Sequence, residues 1–433
     1  MILKRSTLIF PILFLIYKIV FEFYFLPIYF NIFGYLIKTT YQFDVIKYLI
    51  STGIFGLFLI VFMTIKNNNI ITAITTLFYS ICIIPMLGVY AFYDRINEYN
   101  IILPAIFWLI LLVAHIVFSK QAYNSKKIKS LILPKIRDLD NRLYILAALN
   151  TLLIWSWAGF PILFFLSGST AQRLALREAS MPTLMGYVFF ICGGVIIPYL
   201  FARYAEKQSS KGMFLCFVLG YIMYSINGMK TWLFMYLIIW GFIKLIKKTK
   251  YNWYNVSFFI ICGSVVACFL AIISGTYGVI DYVSQVARIL AVPNSIGFRS
   301  LSFFQDNELL YLRESILRLF FDTPYFGGSD FYMDYGTNSG VTSSRSNNGL
   351  WGDAYRNFGA IGILIYPVII AKILSIVHYN SLNFDASLQF VISFMMIWNS
   401  INISFFTWLV SGGVFIILII LKMETGRYEK NDE

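Results

Sequence analysis

The stretch NNGLWGDAYRNFGAIGILIYPVIIAKILSIV (Asn347–Val377) joins two kinds of sequence without a break. Its second half is apolar almost throughout. At about 1.5 Å rise per residue, a helix over 358–377 is long enough to cross a hydrocarbon core of about 30 Å. Its first half mixes Gly, Asn, Asp, Arg and aromatic residues. A membrane helix does not need such a segment at its mouth, so the segment calls for a second reason.

The same apolar pattern recurs along the chain. Of 433 residues, 59% are hydrophobic and 13% charged, against roughly 25% charged in a soluble domain. Twelve runs read as spans: about 7–33, 46–65, 70–92, 101–118, 143–166, 183–202, 213–227, 231–246, 254–275, 358–377, 387–404 and 406–422. The expectation is an all-α polytopic membrane protein, with residues 1–433 forming a single membrane domain. The N-terminal run follows basic residues without a small-residue cleavage site, and reads as an uncleaved first span.

Charge sets the expected orientation. The net charge of +13 is carried largely by lysines in short loops between apolar runs, which is the positive-inside pattern rather than a nucleic-acid footprint. Ser119–Arg142, Arg203–Lys211 and Lys244–Lys250 are the basic loops. With twelve spans they share a side with both termini, which is therefore expected to be cytoplasmic. The five cysteines (Cys82, Cys192, Cys216, Cys262, Cys268) all lie in apolar runs without metal spacing. They read as core residues rather than a disulfide framework.

On the opposite side the longest loop runs over 275–357. It has no lysine but six arginines: Arg288, Arg299, Arg313, Arg318, Arg345 and Arg356. Arginine binds phosphate and carboxylate with a rigid fork and stays charged near lipid. Within this loop, Phe304–Phe321 has apolar residues at helical spacing and predicts an amphipathic helix lying along the membrane surface. The turn-rich segment after it reads with it as a lid over a cavity between spans.

Three constellations can carry chemistry. Arg173 and Arg177 share a helix face if TAQRLALREASMP is helical; either Glu178 pairs with them or a phosphate does. Lys230, in SINGMKTWLF, is either an interfacial lysine or a cation at a helix start, where free N–H groups also favour anions. In the opening stretch, Asp353 is either a free carboxylate fit for base or hydroxyl-orienting work, or an ion-pair partner of Arg356. Trp351, Tyr355 and Phe358 suit stacking on sugar rings or an interfacial aromatic belt. The two histidines, His115 and His378, fall near expected cytoplasmic ends. Asp138 and Asp140 spell a D-x-D, which reads as paired with Arg137 or Arg142. No Ser-His-Asp set, zinc site, Walker loop or dinucleotide fingerprint can be assembled.

The span layout, the lysine-free loop between late spans, and the motifs around Arg173–Gly186, Asn227–Thr231 and Ser344–Gly362 resemble the Wzy-type oligosaccharide repeat-unit polymerases of O-antigen and capsule synthesis, relatives of the O-antigen ligases. The resemblance implies a GT-C-like glycosyltransferase in the bacterial cytoplasmic membrane. Donor and acceptor would both be undecaprenyl-pyrophosphate-linked oligosaccharides at the outer face. No cofactor or metal is implied; a flippase and a chain-length regulator are the implied partners. The residues expected to matter are Asp353 and Glu178 for the acceptor hydroxyl, and Arg173, Arg177, Lys230, Arg299, Arg345, Asn348, Tyr355 and Arg356 for substrate. The related ligases are associated with an outer-loop histidine, which is missing here and favours polymerase. A flippase or transporter is the alternative from another class; it would show repeats and ionisable groups deep in its spans.

Overall fold

The computed structural model of the chain describes residues 2–37, 39–65, 69–94, 96–124, 138–163, 172, 176, 181–315, 320–325, 349–401 and 403–425. Regular structure among the described residues is helical, apart from one isolated bridge between Tyr41 and Tyr93. Among the described residues, eight helices are long and apolar enough to cross a membrane: Ile9–Gly34, Val45–Met63, Ile70–Phe92, Glu98–Lys120, Leu184–Glu206, Trp253–Thr276, Gly349–Ser381 and Phe405–Glu424. The chain is a multi-pass membrane protein. The other expected spans also contain helices, at Leu139–Trp157, Ser210–Asn227, Lys230–Lys248 and Ala386–Ser400. Ala386–Ser400, at 15 residues, falls short of the roughly 20 that a span needs. Lys230–Lys248 carries lysines at both ends.

Two compact units are present. The first comprises residues 1–121, 252–375 and 397–406. Its central helix is Ile70–Phe92, buried over its whole apolar window. Val45–Met63 presents Ser51, Phe55, Phe58 and Phe62 to this core at helical spacing, and leaves Leu49, Leu57 and Ile60 exposed. An apolar exterior of this kind costs nothing against lipid. Asp44 caps the helix by accepting the Ile46 and Lys47 amides at 2.9 and 3.1 Å, satisfying donors that helix geometry leaves free.

Among the described residues, three apolar helices widen into π turns, at Val20–Phe25, Tyr79–Ile83 and Cys192–Ile196. Each turn is followed, two residues after its end, by a proline: Pro27, Pro85 and Pro198. A proline has no N–H and its ring strikes the carbonyl four residues back. Those carbonyls belong to Phe23, Ile81 and Gly194, all inside the π turns. Widening the turn moves the carbonyl aside and lets the helix continue past the proline.

The second unit comprises residues 122–251, 376–396 and 407–433. Here small residues admit large rings. A Cβ on Gly193 would lie 2.2 Å from the Trp232 ring, and one on Gly220 would lie 2.2 Å from Tyr236 Oη. Arg203 is the charged hub. It reaches Asp140 at 3.5 Å, Glu206 at 3.7 Å and Glu424 at 3.3 Å, and stacks over Phe384 at 5.1 Å. Lys207 Nζ holds the other Asp140 oxygen at 2.6 Å. Asp140 of the D-x-D thus pairs with Arg203 and Lys207 rather than with its neighbour Arg142; Arg137 lies outside the described residues. Between helices, Asp385 accepts Tyr251 Oη at 2.7 Å and the Ser387 amide at 2.8 Å. Burial opposes its charge, but these bonds and the nearby Lys247 hold its pKa below the ordinary carboxylate range.

Candidate functional site

The opening stretch of the sequence is itself helical. The Gly349–Ser381 helix starts at Gly349, whose φ of +64° suits glycine, and breaks at Gly359, where φ is 57° and ψ is −141°. Gly359 thus separates a ten-residue helix, 349–358, from the apolar helix that follows it.

Asp353 lies on the short helix and is almost fully buried. Its Oδ1 accepts Arg356 Nε at 3.0 Å and Asn357 Nδ2 at 3.1 Å, and its Oδ2 accepts the Phe405 amide at 2.9 Å. Both carboxylate oxygens are therefore engaged by donors of the chain. The free carboxylate expected of a base is not what the fold presents; the ion pair with Arg356 forms instead. Asp353 ties its helix to the start of the short helix Phe405–Leu409.

A break in a helix leaves carbonyls without partners. The segment before the opening stretch supplies them. Leu310 N donates to Arg356 O at 2.9 Å, Tyr311 N to Asn357 O at 3.2 Å, and Leu312 N to Asn357 Oδ1 at 2.9 Å. Tyr311 and Leu312 take positive φ, 47° and 66°, to present these amides. For that reason the amphipathic helix expected over Phe304–Phe321 does not form over 307–315: regular helix ends at Asp306. The tertiary bonds to the broken helix outweigh the apolar periodicity. Upstream, the expected long loop contains two helices, Ile280–Leu290 and Val292–Asp306.

Trp351 and Tyr355 of the motif are core residues, and Phe358 is half-buried. Trp351 is buried, donates to Asn294 Oδ1 at 3.3 Å and meets Phe298 edge-on at 5.1 Å. Gly297 makes room for it, since a Cβ there would lie 2.4 Å from the indole. Tyr355 is buried, and Phe358 contacts Tyr311 and Tyr366. Neither sugar stacking nor an interfacial belt describes Trp351. Arg299 is half-buried on the Val292–Asp306 helix. Arg313 spends its guanidinium locally, on Glu308 at 2.5 Å and Leu309 O at 2.9 Å.

Lys230 belongs to the second unit. It opens the Lys230–Lys248 helix and is buried, unlike a lysine snorkelling at the interface. Gly228, with φ 65°, ends the preceding helix, and Asn227 Oδ1 accepts the Met229 amide at 2.6 Å. Asn227 Nδ2 is buried without a hydrogen-bond partner among the described residues. A lysine, a buried amide group and a helix N-terminus thus fall within the four residues Asn227–Lys230; helix N-termini favour anions. Arg173, Arg177, Glu178, Arg345 and Asn348 lie outside the described residues.

Sequence reasoning left one set of charges unassigned. Lys18 and Glu22 form a buried ion pair inside the first span. The visible signal was a Lys and a Glu four residues apart in an otherwise apolar run, followed by Pro27. No protein-family model, curated protein or solved structure matches this chain.

Proposed function

We propose that this chain is a membrane glycosyltransferase that polymerises undecaprenyl-pyrophosphate-linked repeat units into a surface polysaccharide, as its resemblance to the Wzy-type polymerases implies. The observation that carries the reading is the broken helix at the motif of resemblance, where Asp353 holds Arg356 beside the Gly359 break. Irregular backbone at membrane depth is tolerated where protein or a water-filled cavity surrounds it, and it suits a place where a polar headgroup must be met. The proposed architecture is GT-C-like with twelve spans, in the bacterial cytoplasmic membrane, with both termini cytoplasmic.

In the proposed reaction the acceptor hydroxyl attacks the anomeric carbon of the donor. The bond to the pyrophosphate breaks, and the pyrophosphate leaves with the electron pair. Cations must offset its developing charge; Lys230, Arg173, Arg177, Arg345 and Arg356 remain the proposed substrate-binding cations, each in its own unit, with Arg299 and Asn348 as proposed sugar contacts, whereas Tyr355 is buried in the core. Asp353 becomes a positioning residue for Arg356. The acceptor proton then falls to Glu178. Purified protein given a lipid-linked repeat unit should yield a ladder of products. Single transfers without a ladder would indicate ligase chemistry, and translocation across a vesicle without new bonds would indicate a transporter. The transporter reading is favoured by one observation, the mid-span pair Lys18–Glu22, since ionisable groups deep in spans mark transport paths.

Orientation has its own test. Tyr277, at the end of the Trp253–Thr276 helix, is strongly exposed. In a cysteine-free background, Tyr277→Cys should react with a membrane-impermeant maleimide in cells whose outer layers have been permeabilised. Reaction only after lysis would invert the topology and remove the outer-face assignment.

A further inference from the structure

Lys18 and Glu22 stand four residues apart on one helix face, both buried, with Lys18 Nζ bonded to Glu22 Oε1. They lie near the middle of the span Ile9–Gly34. Lys18 also reaches Ser51 Oγ at 3.3 Å and sits over the rings of Tyr48 and Phe55 at 5.1 and 5.9 Å. Glu22 belongs to the π turn Val20–Phe25. Gly88, on the Ile84–Phe92 helix, gives its side chain space: a Cβ there would come within 3.0 Å of Glu22 Cγ. The second carboxylate oxygen, Oε2, is buried and has no hydrogen-bond partner among the described residues.

A pair kept for stability alone would be built otherwise. Moving each ion out of water costs several kcal/mol, repaid only when the remaining lone pairs are also satisfied, and apolar residues of similar volume often serve as well. Here one oxygen has a cation and the other an open acceptor position in the interior of a span. Intramembrane ionisable groups mark proton and ion paths, and π turns occur often at functional sites.

Polar groups run from the backbone at this turn to one end of the unit. Tyr41 Oη donates to the Glu22 carbonyl at 3.2 Å, and Tyr41 is only half-buried. Beyond it, Lys47 Nζ donates to Tyr93 O at 3.0 Å, Asp94 accepts Thr39 and Thr40, and Asp44 caps the next helix. The titratable groups facing Glu22 are Lys18 on its own helix, and Tyr41 and Tyr48 from the segment 39–63. The Ile84–Phe92 helix meets the Glu22 side chain at Gly88. The Trp253–Thr276 helix and the Tyr79–Ile83 turn bring Cys268 and Cys82 to neighbouring Tyr17.

We propose that Glu22, held by Lys18, is a proton-binding site in the first span that exchanges with water at the end of the unit carrying Tyr41, Asp44, Lys47 and Asp94. A proton from water adds to Oε2 and converts the carboxylate to a carboxylic acid. No other covalent bond changes. The Lys18 ammonium loses its counter-charge and keeps Ser51 Oγ and the rings of Tyr48 and Phe55. The site does not depend on the polymerase reading.

The test is infrared difference spectroscopy on the full-length protein in detergent, titrated from neutral to acid pH. Wild type should gain a high-frequency acid C=O band, typical of a carboxyl in apolar surroundings and lowered in frequency by D₂O. The band should be missing in Glu22→Gln. The double variant Lys18→Met/Glu22→Leu removes both charges together, so it covers the case in which the single change leaves Lys18 uncompensated and unfolds the chain. A wild-type protein that shows no such band while folded would make the pair a fixed structural one. The same band in either variant would assign it elsewhere. A shift of the carboxylate band when sodium replaces potassium, with no acid band, would make the ligand a metal cation and overturn the proposal.

Discussion

Asp353→Asn is expected to destabilise the folded protein by about 3 kcal/mol, the size of a broken, largely buried charge pair with an orphaned amide. The donor count decides this. Asp353 receives Arg356 Nε and Asn357 Nδ2 on one oxygen and the Phe405 amide on the other. Asparagine has one acceptor oxygen and an NH₂ group. If the oxygen faces Arg356, the NH₂ meets the Phe405 N–H, donor against donor. If it is flipped, the NH₂ meets Arg356 and Asn357. Asn357 cannot turn to help, because its Nδ2 also donates to Asp353 O at 2.9 Å and its Oδ1 accepts Leu312 N at 2.9 Å. Arg356→Ala leaves the buried Asp353 carboxylate two donors but without the Arg356 counter-charge, and should cost about as much. Thermal unfolding in detergent, followed by tryptophan fluorescence, would compare the two variants. An unchanged midpoint for Asp353→Asn together with a lost product ladder would return Asp353 to the chemistry.

Much of the first half of this picture could be read from the chain. Apolar runs of about 20 residues report spans because backbone groups in lipid must bond internally. The Asp353–Arg356 pair was legible as one of two readings because three residues apart on a helix are neighbours. Its third partner was not. The Phe405 amide lies 52 residues away, and no local pattern encodes a contact at that distance. The stretch after Asp306 misled for a related reason. Its apolar period is helical, but Leu310, Tyr311 and Leu312 give their amides to the Arg356 and Asn357 carbonyls and the Asn357 side chain. Periodicity reports which residues avoid water, and it is silent on where a backbone amide finds its acceptor. The π turns could not be read from proline alone: Pro27, Pro85 and Pro198 follow them, but Pro11 and Pro367 lie inside helices without one.

The glycines of the FGAIG sequence carry the last expectation, and Gly362 should be the less replaceable of the two that close it. In a straight helix, residues eight apart are separated by about 12 Å along the axis. Here a Cβ on Gly362 would lie 2.1 Å from Ala354 O and 2.9 Å from Ala354 C. That approach exists only because the helix breaks at Gly359. The atoms in the way are backbone atoms of a helix pinned through Asp353 to Phe405, so no side-chain rotation relieves the clash. Gly362→Ala should therefore cost about 3 kcal/mol or more, at the upper end of what overpacking does. Gly359→Ala meets a softer obstacle, Leu309 Cδ1 at 3.3 Å. Its penalty comes from forcing an L residue to φ 57° and ψ −141°, a strain of order 1–3 kcal/mol. Both changes act on the same break, so the double variant should lose less than the sum of the single losses. Unfolding midpoints of the three variants, measured beside Gly263→Ala, test the ordering. A Cβ on Gly263 meets nothing within 4 Å, and that variant should match wild type. Gly362→Ala with a wild-type midpoint would mean that the helix runs straight through Gly359 and that the motif holds no break.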